Sequence, residues 1–233
     1  MISWNRLTSA TVHWVDFDDL MLLFQHASQM TDCHVLFFDY GIADLPMPQI
    51  THHRLKTISL RNAIDGELAI WLLDSLTAPC LQEFHTNDVI ALNYLPQRLR
   101  QSLTSLTLYH DLNELELPYH FASFPGVTDL VVETPGEEDD AIKRLLLEGC
   151  FPNLRHLTLR LKSFLSLWEM GVIPLLLDRK RLQHDQPNES KLSKFLVVER
   201  DQAIEFDRMW KSDVGEQLKA LGIRLREDGF EFI

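Results

Sequence analysis

Apolar residues recur along the chain in one short pattern, in which positions one, four and six are apolar and the residues between them are mostly polar. The clearest copies are Leu55, Ile58, Leu60; Leu103, Leu106, Leu108; Val127, Leu130, Val132; and Leu154, Leu157, Leu159. Weaker copies begin at Leu7, Met30, Leu81 and Leu192. Because alternate residues of a strand point to opposite faces, each copy predicts a short strand that buries one side.

The eight copies follow one another at similar intervals, apart from a longer last interval before Leu192. A Leu-x-x-Leu-x-Leu core that repeats every 20–29 residues or so, at roughly the spacing found here, is typical of leucine-rich repeats. The sequence therefore predicts an α/β leucine-rich-repeat solenoid with a parallel inner sheet and with helices and loops outside. We expect a single domain over residues 1–233, with about eight irregular repeats and an insertion at about 164–191.

The segments between the strands predict outer elements of unequal regularity. Apolar residues at helical spacing predict helices over 16–27, 67–76, 134–147 and 203–221, with a short helix after Pro96. Prolines predict loops over 41–51 and 112–124. At the chain end, a strand over 223–226 is expected to turn at Asp228-Gly229 into 230–233.

Leucine-rich repeats commonly place Asn or Cys three residues after the sixth position, where the side chain satisfies backbone groups at the bend. The equivalent residues here share no chemistry: Val15, Phe38, Ala63, Val89, Asp111, Pro135, Lys162 and Arg200. We therefore expect an irregular arc whose bends are held by packing.

Charge and cysteine content narrow the classes of partner. The chain has 22 basic and 34 acidic residues, a formal net charge of −12, which disfavours nucleic acid and anionic membrane surfaces. Its three cysteines are widely separated, so neither a disulfide framework nor a metal knuckle is predicted. No apolar run approaches the ~18 residues of a membrane span. The expected setting is intracellular, cytoplasmic or nuclear.

The residues between the core positions should point outward on the concave face, where repeat proteins bind their partners. One column there holds Thr11, His34, Ser59, His85, Thr107, Val131, Thr158 and Leu196, and the next holds His13, Leu36, Arg61, Asn87, Tyr109, Glu133, Arg160 and Val198. Arg and Tyr are favoured at binding hot spots. The candidate protein-binding residues are Arg61, His85, Asn87, Tyr109 and Arg160, and the competing interpretation is an ordinary solvated face.

Other chemistry is weakly indicated. The ten histidines show no metal-ligand spacing and are interpreted as surface residues, and no nucleophile or phosphate-loop motif occurs. The acidic run 137–140 complements a helix N-terminus and needs no ligand. Trp71, Trp168 and Trp210 lie on apolar helical stripes and are predicted to be core. We expect no cofactor, no metal and no enzymatic activity; a catalytic protein on a repeat scaffold is the alternative.

Several phrases resemble the C-terminal leucine-rich-repeat region of F-box-like proteins from mushroom-forming fungi. They are Leu7-Thr-Ser-Ala-Thr-Val, Gln25-His-Ala-Ser-Gln-Met, Ile50-Thr-His-His-Arg-Leu-Lys-Thr-Ile-Ser-Leu, Leu72-Leu-Asp-Ser-Leu-Thr-Ala-Pro-Cys-Leu-Gln-Glu-Phe and Cys150-Phe-Pro-Asn-Leu-Arg-His-Leu-Thr-Leu. The resemblance implies the substrate-recruiting arm of a Skp, cullin and F-box ubiquitin ligase, which binds a protein substrate on its concave face.

One part of that family is missing from this sequence. The F-box, a helical segment of about forty residues that opens near a Leu-Pro pair and precedes the repeats in the family, is not found, and Leu45-Pro46 lies inside a repeat. The resemblance therefore implies a Skp-type adaptor as partner only if an F-box is supplied upstream. A fragment or a non-functional truncated relic is the further alternative.

Overall fold

A computed structural model describes the chain over residues 4–36, 38–39, 48–61, 66–87, 92, 94–109, 123–133, 150–161, 194–199, 223–226 and 229–232. The chain divides into two compact units. The first comprises Met1–Tyr109 with Leu117–Gly126, and the second comprises His110–Glu116 with Val127–Ile233.

Five parallel strands form the main sheet of the first unit. They are β1 (Ser9–Val12), β3 (Asp32–Val35), β6 (Thr57–Leu60), β8 (Glu83–Thr86) and β9 (Ser105–Tyr109), and they are neighbours in that order. Two smaller parallel pairs accompany them: β2 (Val15–Asp16) with β4 (Phe38–Asp39), and β5 (Ile50–Thr51) with β7 (Leu76–Thr77). Each main strand coincides with one copy of the apolar pattern.

The strand register places equivalent positions of the pattern side by side. Cys33, Ile58, Phe84 and Leu106 are aligned across β3, β6, β8 and β9, and all four side chains are fully buried. Val35, Leu60, Thr86 and Leu108 form a second buried row. The predicted α/β class with a parallel sheet is therefore confirmed. Burying one face of each strand fixes the register, since a shift by one residue would turn the apolar side chains to the opposite face.

The described helices of the first unit include α1 (Phe17–His26), α2 (Gly66–Ser75) and α3 (Gln97–Arg100), and a 3-10 turn at Trp4–Arg6 precedes them. The predicted helices over 16–27 and 67–76 match α1 and α2 to within a residue or two, and α3 follows Pro96 as predicted. Helix α1 begins with Asp18 and Asp19 in its first turn, where negative charge complements the helix dipole. It buries Phe17, Leu20 and Phe24.

Trp71 is a correction to the predicted core, since its side chain on α2 is 38% exposed. The buried apolar side chains described on α2 include Ala69, Leu72 and Leu73, and Leu76 immediately after the helix is buried as well. They form a stripe at positions i, i+3, i+4 and i+7, and Trp71 lies about 150° around the helix from the middle of this stripe.

Backbone hydrogen bonds join each copy of the pattern to the next immediately before the strands. The expectation drawn from the missing Asn or Cys ladder concerns the bends after the strands, most of which lie outside the described residues. The carbonyl before each strand accepts two N–H groups from the next copy of the pattern, at 2.7 to 3.3 Å; the accepting residues are Thr8, Thr31, Lys56 and Gln82. Thr128 makes the same link in the second unit, to Arg155 and His156. A backbone acceptor is present whatever the side chain, so residue types do not reveal this ladder.

Helix α2 is capped from the next copy of the pattern by the guanidinium of Arg98. Its Nη2 donates to the carbonyl oxygens of Asp74 at 2.7 Å, Leu76 at 3.1 Å and Leu73 at 3.3 Å, and its Nε donates to Leu76 at 3.3 Å. The last carbonyls of a helix have no partner within the helix, and a cation near them also complements the dipole. Arg98 therefore ties α3 to the end of α2.

We expect Arg98→Ala to lower the free energy of unfolding by about 1–2 kcal/mol, because the carbonyls of Leu73, Asp74 and Leu76 lose a charged donor. Urea unfolding followed by circular dichroism measures the change. Gln97→Ala on the same helix is the matched control and should change stability by at most about 0.5 kcal/mol. Equal midpoints for the two variants would contradict the capping role.

In the second unit, β10 (Asp129–Glu133), β11 (His156–Leu161) and β12 (Lys194–Glu199) pair in parallel. The register aligns Leu130 with Leu157, and Val132 with Leu159, and all four side chains are buried. Near the chain end, β13 (Ile223–Arg226) and β14 (Gly229–Phe232) pair antiparallel, which agrees with the strands predicted over 223–226 and 230–233.

Several predictions fall on residues outside the described part of the chain. These are the helices over 134–147 and 203–221, the insertion at 164–191, the acidic run 137–140, Trp168 and Trp210, and most of the loops over 41–51 and 112–124. In the part that is described, no helix combines the length and the apolar character needed to cross a bilayer.

Candidate functional site

The outward face of the first unit carries the predicted binding residues at aligned positions. His34, Ser59, His85 and Thr107 are register partners across β3, β6, β8 and β9. Arg61 and Asn87 follow the aligned pair Leu60 and Thr86 by one residue, and Tyr109 likewise follows Leu108. These residues face outward because the alternate positions, Leu60 and Leu108 among them, are buried in the core.

Arg61 and Tyr109 are in direct contact although a whole strand lies between them. The guanidinium carbon of Arg61 lies 3.6 Å from the centre of the Tyr109 ring, over its face. This is a cation–π contact, of about 0.5–1 kcal/mol where it is partly exposed. The Arg61 side chain, one residue after β6, therefore reaches past the position of Asn87, one residue after β8, to the ring of Tyr109 at the end of β9.

His85 completes the group beside the same ring. The ring centres of His85 and Tyr109 are 6.3 Å apart and the two planes are inclined by only 25°. Arg61, His85 and Tyr109 thus come from three consecutive strands, and we call them the Arg61 cluster. The cluster is half-buried and rigidly spaced, because each member is anchored by a hydrogen-bonded strand.

Burial lowers the pKa of His85 from its ordinary value. Glu83, whose carboxylate lies 3.6 Å from His85 Nε2, raises that pKa, whereas the positive charge of Arg61 and the neighbouring His34 lower it further. The contact with Glu83 is longer than a hydrogen bond. The His85 Nε2 is buried without a hydrogen-bond partner among the described residues.

The centre of this face is less solvated than the sequence predicts. Thr57, Ser59 and Thr107 point to the outward side, yet their exposed fractions are 8%, 2% and 6%. The alternation of side chains along a strand predicts which face a residue lies on. It does not predict how much of that residue neighbouring side chains cover. Ser59 and Thr107, with their short hydroxyl side chains, are the register partners of His85 on the two neighbouring strands.

Arg160 belongs to the second unit and has a partner of its own. Its guanidinium donates to the carboxylate of Glu133, the residue opposite it in the register. Four residues earlier on β11, His156 is paired in the same way with Asp129 on β10. Arg160 is thus half of a cross-strand ion pair, and the structure does not bring it into the Arg61 cluster.

His52 corrects the interpretation of the histidines as surface residues. Its side chain is only 2% exposed, its Nε2 donates to the carbonyl oxygen of Ala27 at 2.9 Å, and it lies edge-on to Phe24. Ala27 occupies the equivalent position one copy of the pattern earlier, so His52 closes the end of α1 much as Arg98 closes the end of α2. The sequence signal for this capping role is the position of His52, three residues before Leu55, where a copy of the apolar pattern begins.

Metal binding finds no support in the described part of the chain. No group of three or more His, Cys, Asp or Glu side chains there converges as a set of metal ligands. His34 and His85 share a column with Ser59 between them, about 10 Å apart at the usual strand spacing. Two ligands of one zinc ion would each need a bond of about 2 Å to it.

Comparisons of this chain with protein-family models, with curated proteins and with solved structures find no match. The function therefore has to be inferred from the geometry of the Arg61 cluster and from the fold that holds it.

Proposed function

We propose that this chain is a protein-interaction module, a leucine-rich-repeat solenoid that holds a segment of a partner protein on the outward face of its parallel strands. The single observation that supports this function is the Arg61 cluster. Arg61 stacked on Tyr109, with His85 alongside, places hot-spot residue types in a fixed, half-buried arrangement. Side chains that are already ordered lose little entropy when a partner binds.

The same geometry favours binding over catalysis. Glu83 and His85 are the two potential proton carriers at the cluster, and the other members of the group are a permanently charged guanidinium and a phenol ring. His85 Nε2 has no hydrogen-bond partner among the described residues, so a nucleophile activated by that nitrogen finds no support there. A catalytic protein on a repeat scaffold remains the alternative without an observation in its favour.

The resemblance to F-box-like proteins gives this proposal a more specific form. On that basis the chain is the substrate-recognition arm of a ubiquitin-ligase receptor, and its partner is a protein substrate. A Skp-type adaptor joins only if an F-box is supplied upstream. The recurring apolar pattern, at the spacing typical of leucine-rich repeats, and the parallel strands support the repeat architecture.

The double variant Arg61→Ala, Tyr109→Ala tests the proposal. The full chain is immobilised, proteins are captured from fungal lysate, and the captured proteins are quantified by mass spectrometry. We expect the double variant to lose its specific partners by at least about tenfold, because truncating a hot-spot residue costs about 2 kcal/mol or more.

A second double variant, Arg54→Ala, Tyr94→Ala, is the matched control. It removes the same two residue types from exposed positions away from the strands, where Tyr94 is 60% exposed. The control should capture the same partners as the parent, and both variants should unfold at nearly the parent's urea concentration. Identical partner sets for the parent and the Arg61, Tyr109 variant would disprove the proposed surface.

A further inference from the structure

The Arg61 cluster also indicates the chemistry of what binds to it. We propose that it recognises a single carboxylate, the side chain of one Asp or Glu in an extended segment of the partner protein. This inference rests on the proposed function and adds the chemical class of the group that the site selects.

The first argument is the hydrogen-bonding edge of Arg61. The guanidinium carbon of Arg61 lies over the face of the Tyr109 ring, a contact that takes up none of the five N–H donors of the guanidinium. Among the described residues, no acceptor lies within hydrogen-bond distance of that guanidinium, in contrast to Arg98 and Arg160. A carboxylate fits the two parallel N–H groups of such a fork.

The second argument is preorganisation. A long Arg side chain on an open surface samples many rotamers, and fixing it costs up to about 2 kcal/mol of conformational free energy. Here the ring of Tyr109 already holds the guanidinium, and His85 in turn supports that ring. The site is therefore ready for a planar anion before the partner arrives, and little further ordering is required.

The third argument is charge, which limits the ligand to one negative charge. Arg61 is the only permanently charged cation of the cluster, since burial lowers the pKa of His85, and the carboxylate of Glu83 lies beside His85. The chain as a whole carries a net charge of −12. A phosphate dianion or a polyanion would meet one positive charge and a repulsive background, whereas a single carboxylate is balanced by Arg61 alone.

The test uses a phage-displayed library of random dodecapeptides, selected on the full chain and counter-selected on the Arg61→Ala, Tyr109→Ala variant. We expect the enriched peptides to share one Asp or Glu at a fixed position. A synthetic copy of an enriched peptide is then compared with copies in which that residue is Gln, Asn or phosphoserine, and binding is measured by fluorescence anisotropy.

Replacing the acidic residue with its amide should weaken binding to the parent chain at least about tenfold. On an Arg61→Gln chain the acidic and amide peptides should bind within about twofold of each other, because the ion pair between the Arg61 guanidinium and the peptide carboxylate can no longer form. Arg61→Lys should recover only part of the affinity, since an ammonium group offers neither the fork nor the stacking plane.

The contrary outcomes separate this inference from the proposed function. Peptides that depend on Arg61 and Tyr109 but share no acidic position would overturn the carboxylate and leave the binding surface intact. Tighter binding of the phosphoserine peptide would show that the site selects phosphate, which also overturns it. Peptides enriched equally on the parent and the double variant would remove the surface itself.

Discussion

Replacing Phe84 with Ala should lower the free energy of unfolding by about 3–5 kcal/mol, the typical loss for a large aromatic side chain removed from a core. Phe84 is completely buried, and its register partners on the two neighbouring strands are Ile58 and Leu106, which are also completely buried. The surrounding side chains are fixed by strands on both sides, so they can collapse only partly into the cavity.

Urea unfolding monitored by circular dichroism measures this change. Tyr94→Ala is the control, because it also removes an aromatic ring but from a side chain that is 60% exposed, and it should change stability by at most about 0.5 kcal/mol. Similar midpoints for the two variants would mean that the Phe84 side chain does not lie in the core.

In the second unit, Leu157→Ala should lower the free energy of unfolding by about 2–5 kcal/mol through the lost transfer energy and the cavity left behind. Leu157 is 1% exposed and is aligned with Leu130 on the adjacent strand. Because the substitution acts on the second unit, hydrogen exchange of the amides in β10 and β11 should accelerate most.

Thr158→Ala is the natural control for that variant. Thr158 is the next residue on the same strand and points to the opposite face, where it is only half-buried. We expect a change of at most about 0.5 kcal/mol. An unchanged melting temperature for Leu157→Ala, or an equal loss for Thr158→Ala, would show that the strand has the opposite face in the core.

The main strands could be predicted from the sequence because their spacing has a simple physical cause. A strand that buries one face needs apolar residues at alternate positions, and Leu106 with Leu108, or Ile58 with Leu60, satisfy that requirement without ambiguity. The pattern also predicts the observed register, since equivalent positions align residue for residue across neighbouring strands.

The short strands could not be predicted in this way. Each of β2, β4, β5 and β7 has only two residues, which is too few to show any periodicity. The caps made by His52 and Arg98 were also missed, because their acceptors lie one whole copy of the pattern earlier in the chain. Such contacts depend on how two repeats are placed against each other, and a local sequence pattern does not contain that information.

The candidate site was predicted as a set of residue types on one face, and its internal contacts were not. Arg61, His85 and Tyr109 were assigned to neighbouring columns, and the structure adds that the Arg61 side chain crosses a strand to stack on Tyr109. The sequence pattern does not predict Glu83 as part of the site, because this residue lies at the start of β8, outside the two columns. Arg160 was grouped with them by column alone, although its charge is already paired with Glu133.

The paired hydrogen bonds before each strand have a consequence for how this chain can change over evolutionary time. Each carbonyl that accepts two N–H groups joins one copy of the pattern to the next through peptide groups, which every residue type supplies, and at two joints the hydroxyl of Thr31 or Thr104 donates to the same carbonyl as well. The joint does not depend on the length of the segment between two joints, because segments of unequal length in the first unit end on the same link. Whole segments can therefore be lengthened, shortened or exchanged as cassettes, and residues such as Arg61 and Tyr109 can be replaced to suit a new partner while the strands beneath them keep their register.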